Sequence, residues 1–106
     1  MTDRELLELA AKAVGKTKAR YVEIWGAMAD PAEDGFDYRT YWNPIANDGD
    51  ALRLAVKLGL VVDCSRPSAG EPWKQHAIWL DETMSNAELT RRAIVRAAAE
   101  IGRQMP

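Results

Sequence analysis

Asn47-Asp48-Gly49-Asp50-Ala51-Leu52-Arg53-Leu54-Ala55-Val56-Lys57-Leu58-Gly59-Leu60 is the stretch on which the reading of the fold turns. It predicts a complete short helix with both ends marked. Asn47 or Asp48 can cap the first turn, and Asp50 suits the positive end of the helix dipole. Leu52, Ala55, Val56 and Leu58 supply an apolar stripe, with Arg53 and Lys57 turned outward. Gly59 offers the left-handed stop, and Leu60 stands where the hydrophobic contact beyond a glycine cap belongs. A self-contained helix in mid-chain divides the remaining sequence into two flanking blocks.

The upstream block opens with a second helix, from Thr2 to Gly15. Thr2 and Glu5 are spaced as a capping box, Leu6, Leu9, Ala10, Ala13 and Val14 recur at helical spacing, and Gly15 ends the run. Arg20 to Ala27, with Tyr21, Val22, Ile24 and Trp25, reads as a strand. After the polar turn Asp30 to Gly35, Phe36 to Trp42 reads as its return. Downstream, Leu60 to Cys64 is a short apolar run, and Ser65 to Pro72, with two prolines and a glycine, reads as loop. Lys74 to Leu80 alternates as a half-buried strand does. A third helix runs from about Asn86 to Ile101, opened by the capping box Ser85 to Glu88. Ile94, Ala98 and Ile101 fall on one side of it, nearly opposite Arg92, Arg96 and Arg103.

The order is therefore helix, hairpin, helix, hairpin, helix. Tight loops favour antiparallel pairing. Three helices are many for one face of about four short strands. The expected fold is α/β (α+β): one domain over 1–106, a three-layer α/β/α sandwich with helices on both faces of a shared sheet.

Composition narrows the function classes. The chain has 106 residues, 47% of them hydrophobic, which is enough for one packed core. A net charge of −2 gives no broad field to attract nucleic acid or an anionic membrane. Cys64 is the only cysteine, so no internal disulfide can form and four-cysteine zinc sites are excluded. No segment approaches the roughly 20 apolar residues of a membrane span. The start is polar, and the expected address is the cytoplasm.

Few residues suggest chemistry. Asn47-Asp48-Gly49-Asp50 is acidic enough to evoke Ca²⁺ or Mg²⁺, but the later ligand positions are Leu, Ala and Val, and capping accounts for all four residues. Cys64 and His76 could face each other across a hairpin, yet nothing orients His76 as a base and no hydrolase motif surrounds Cys64. The reading is non-enzymatic, with no metal and no cofactor implied. Lys16, Lys18 and Arg20, with Arg92, Arg96 and Arg103, form a candidate basic patch for nucleic acid, although Glu88 and Glu100 can pair with Arg92 and Arg96. The aromatics are more pointed. Trp25, Tyr38, Tyr41, Trp73 and Trp79 sit on hairpins, where outward-facing rings mark contacts with protein, either a partner or a second copy. Trp73, after Pro72 on a loop edge, is the clearest exposed anchor.

Trp42-Asn43-Pro44 followed by Asp48 to Ala55 resembles the signature of the phage ABA-sandwich domain family, small proteins of tailed phages and prophages. Thr90 to Gly102 is similar to that family's closing helix, and Thr2 to Ala13 to its opening one. The resemblance implies a three-layer sandwich and a phage or prophage origin within a bacterial host. It brings no activity and no catalytic residues. The function expected is that of an accessory protein that binds protein, with nucleic-acid binding through the basic patch as the alternative.

Overall fold

The computed structural model describes residues 1–30, 41–77 and 83–106, with the backbone alone at 74–77. Helices and strands alternate along it: α1 (Asp3–Ala13), β1 (Arg20–Val22), β2 (Ala27–Ala29), β3 (Tyr41–Trp42), α2 (Asp48–Leu58), β4 (Val61–Asp63), β5 (Ser68–Glu71), β6 (Lys74–Ala77) and α3 (Asn86–Gln104). Each helix begins on the residue that its sequence marks. Thr2, Asn47 and Ser85 accept the backbone N–H three residues on, at 3.2, 2.8 and 3.2 Å. Gly59 closes α2 in the left-handed region, φ 64°, as a cap without a Cβ can.

The class, the three helices and the antiparallel pairing agree with the sequence reading. The sheet does not take the expected form. Among the described residues six strands, rather than about four, make two separate three-stranded meanders, β1-β2-β3 and β4-β5-β6. Two local readings account for the difference. Arg20 to Ala27 is not one strand, because Gly26 takes φ 61° and both Trp25 and Gly26 donate to the Val22 carbonyl, turning the chain into β2. Ser65 to Pro72 is not all loop. Its centre, Ser68–Glu71, is β5, the middle strand of the second sheet. Ala69 and Gly70 are buried there, beneath α3, where small residues let helix and sheet approach closely. Most of the expected strand from Phe36 to Trp42, and the end of that from Lys74 to Leu80, lie outside the described residues.

Nor do the three helices share one sheet. α3 is the hub: it packs against α1, α2 and the second sheet, whereas α1 also covers β1 and β2 and α2 rests chiefly on α3. Alanines 93, 97, 98 and 99 of α3 meet alanines 10 and 11 of α1 within one core, with Leu7, Met28 and Val95 fully buried. A side chain at Gly102 would run into the backbone carbonyl of Leu9, so glycine there is what lets α1 and α3 touch. Because α2 leans on one helix rather than a sheet, it buries only a narrow strip: Asp50, Ala51, Leu54 and Ala55. Leu52 and Val56, expected inside, are 63% and 71% exposed.

The loop before α2 welds the first sheet to that helix. The Asn43 side-chain oxygen accepts from the Ile45 and Ala46 N–H groups, and its amide nitrogen donates to the Gly26 carbonyl and the Tyr41 hydroxyl. The Asn43 N–H donates in turn to the buried Asp50 carboxylate at 2.9 Å, which also pairs with Arg53. Trp42 and Pro44 are buried on either side. The Trp-Asn-Pro and Asp-Gly-Asp motifs are thus one structural joint.

Candidate interaction surface

The β1–β2 turn lifts two apolar side chains into solvent. Ile24 is 95% exposed and Trp25 44%. The Trp25 ring leans on Tyr41 of β3, centroids 6.1 Å apart and planes tilted by 48°, and the hydrogen bond from Asn43 fixes the Tyr41 hydroxyl. The turn is braced from α1 as well, where Arg4 lies over the Tyr21 ring and reaches Glu23 at 3.4 Å. Backbone bonds and ring contacts therefore hold this cluster in place on its hairpin. Trp73 occupies the β5–β6 turn and is 78% exposed. Tyr38 and Trp79 lie outside the described residues.

The six basic residues do not form one free patch. Lys16 pairs with Asp30 and sits 5.6 Å over the Trp42 ring, Arg92 holds Asp3, and Arg103 holds Glu100. Among the described residues only Lys18, Arg20 and Arg96 of the six are exposed without an ion pair. The acidic stretch is likewise engaged: Asn47 caps α2, Asp48 pairs with Arg91, and Asp50 serves the loop. Among the described residues no group of three His, Cys, Asp or Glu stands together as metal ligands would, and no helix is long and apolar enough to cross a membrane. Cys64 and His76 are not cross-strand partners. His76 pairs in register with Ala69 and Ala69 with Val62, so β5 intervenes and Cys64 lies beyond the end of β4.

One further feature has no counterpart in the sequence reading. α2, β4 and the first half of α3 bound a groove of about 480 Å³, lined by Ala51, Leu52, Ala55, Val62, Thr90 and Ile94 among others. Arg91 also lines it. Its stem is mostly buried, its Nε donates to the Ile45 carbonyl at 2.8 Å, and its Nη1 donates to Asp48 at 2.7 Å. Thr90 is 8% exposed and its Oγ1 has no hydrogen-bond partner. The surplus of apolar positions in α2 is the one sequence signal that could have pointed to this surface, since six of its eleven residues are Ala, Val or Leu.

No family model, curated protein or solved structure matches the chain.

Proposed function

We propose that this chain is a non-enzymatic protein-interaction module, an accessory protein of phage or prophage origin that works in the bacterial cytoplasm. The origin rests on the resemblance of its Trp-Asn-Pro loop and terminal helices to the phage ABA-sandwich family. The mode of action rests on one observation: Ile24 and Trp25 stand on a braced hairpin turn beside Tyr41, an apolar cluster displayed rather than buried. Aromatic anchors held rigid before binding lose little conformational entropy on docking and dominate interface energetics.

The test combines light scattering after size exclusion with retention of partners from host lysate. Wild type is expected to self-associate or to retain a discrete partner, and the double variant Ile24→Ser, Trp25→Ala is expected to lose that association while keeping its melting temperature. A strict monomer that retains nothing refutes the reading. The exposed, unpaired Lys18, Arg20 and Arg96 support nucleic-acid binding as a second reading. That reading requires a salt-dependent mobility shift that weakens when the three are changed to Ala.

A further inference from the structure

We propose that the outer face of the β1-β2-β3 sheet binds single-stranded nucleic acid, with a base stacked on the Trp25–Tyr41 pair and neighbouring phosphates held by Arg20 and Lys18. This rests on the second reading above and names both the form of the nucleic acid and the residues that meet it. The strand register brings the parts together. Arg20 pairs with Ala29 and Ala29 with Tyr41, while Tyr21, Met28 and Trp42 form the next row. Residues directly opposite share a face, and successive rows alternate between faces. Met28 and Trp42 are buried and α1 packs on this sheet, so the Tyr21 row faces the core. Arg20, Ala29 and Tyr41 therefore face outward, and Arg20 and Tyr41 are exposed.

A base needs a flat ring held in place, and the phosphate beside it needs an uncommitted cation. Tyr41 is 46% exposed and Trp25 44%, with their rings tilted by 48° so that each keeps an open side. Asn43 anchors the Tyr41 hydroxyl, so the platform is set before anything binds. Only Ala29 separates Tyr41 from Arg20 in their row, two strand spacings or roughly 10 Å across. An arginine stem can lean over that methyl group toward a phosphate next to the stacked base. Lys18 adds a second cation in the turn that enters β1. Neither has an ion pair among the described residues, whereas the nearby carboxylates are taken, Asp30 by Lys16 and Glu23 by Arg4. Arg96 is no part of this site. It stands beside Met1 and Leu6 at the start of α1, which packs on the sheet's other face. A duplex hides its bases in its own stack, and a net charge of −2 gives no broad field to hold its phosphates. A single strand offers base faces and phosphates together.

The experiment follows, by fluorescence anisotropy at low salt, the binding of the full chain to a labelled oligothymidylate of about twelve nucleotides, a common footprint for one such module. Oligouridylate and dA·dT duplex of the same length are the comparisons. A single strand is expected to bind at least roughly fivefold more tightly than the duplex. Its affinity should fall with salt at a logarithmic slope of about −1.4, the value for two phosphates on a single strand. Binding of either strand type supports the proposal, and the tighter one names the source. Tyr41→Thr and Trp25→Ala are each expected to weaken binding roughly fivefold or more with the slope unchanged, since stacking is uncharged. Tyr41→Phe keeps the ring and is expected to keep the binding. Arg20→Gln changes an exposed side chain, leaves the fold intact, and should cut the slope to about −0.7. Lys57→Gln, at an exposed cation of α2, should change nothing. Duplex binding as tight as that of the single strand, or single-strand binding that survives loss of both rings, overturns the proposal and leaves the broader nucleic-acid reading standing. Absence of salt-dependent binding to all three probes overturns both, and a protein partner released by Trp25→Ala would then claim this face.

Discussion

The two flanks of α3 solve the same packing problem in opposite ways. Toward α1, alanines and Gly102 bring two backbones into contact and leave no space for a methyl group. Toward α2, Arg91 spans from helix to helix to reach Asp48 and a groove remains between them. Both flanks are rich in small residues, so small size by itself does not decide whether helices close up. Closure needs a backbone with nothing standing in front of it, as at Gly102. A long polar side chain anchored on the far helix can hold the gap instead.

The closed flank gives the largest expected effect. Gly102→Ala adds one methyl group where the Leu9 carbonyl already stands, and backbone on both sides has nowhere to move. In an open helix this change would gain up to about 1 kcal/mol from propensity. Here overpacking outweighs that gain, and a net loss of about 3 kcal/mol is expected. For a domain of this size, that lowers the melting temperature by roughly 12–24 °C. Thermal unfolding followed by circular dichroism checks it, and a variant as stable as wild type would mean the two helices do not touch there.

The open flank should give less. Arg91→Ala removes two hydrogen bonds and a buried stem but strands no buried charge, since the partner Asp48 carboxylate is largely exposed. A loss of about 2 kcal/mol is expected. Lysine has one donor group on a flexible stem and cannot reach the Ile45 carbonyl and Asp48 in the same fork, so Arg91→Lys should recover less than half of it. Urea unfolding of the two variants side by side decides the matter. Equal stability of Arg91→Ala and wild type would show that the span across the gap carries no weight.

The contrast between flanks also explains what could be read in advance. Helices were legible because their signals are local: Thr2, Asn47 and Ser85 name the starts and Gly59 a stop. β5 was not, because Pro67, Gly70 and Pro72 are loop residues by composition, and the demand for small side chains under α3 comes from elsewhere in the chain. The inward face of α2 departs from its apolar pattern for a related reason. Leu52 and Val56 are better core formers than Ala51, yet the partner is a single helix whose contact strip runs through Ala51, Leu54 and Ala55. Pro72 places Trp73 on a loop edge, whereas Trp25 has the composition of a strand around it and stands in a turn. Thr90 carried no signal, since an unpaired hydroxyl is visible only once its surroundings are known.

The smallest effect tests whether the open flank also has the softer wall. Asp63 ends β4 beside Cys64, at the groove's edge, and its Oδ1 accepts from the Ser65 N–H at 2.9 Å, the Ser65 hydroxyl at 2.8 Å and the Arg66 N–H at 3.1 Å. These donors, the Ser65 hydroxyl foremost, hold the carboxyl below its ordinary value of 3.8. The folded form thus binds its proton less readily than the unfolded chain. The turn's contribution is fully present above 3.8 and is lost as pH falls through the lower folded value. Because Asp63 is exposed to solvent, the consequence is local. Between about pH 5 and pH 2, the Ser65 and Arg66 amide resonances should move with a midpoint below 3.8 while that of Gly102 stays still. Asp63→Asn should abolish the movement and leave the turn closed by its remaining side-chain oxygen. A midpoint at or above 3.8 would mean that the three donors do not hold the carboxylate, and that β4 is pinned by its pairing to β5 alone.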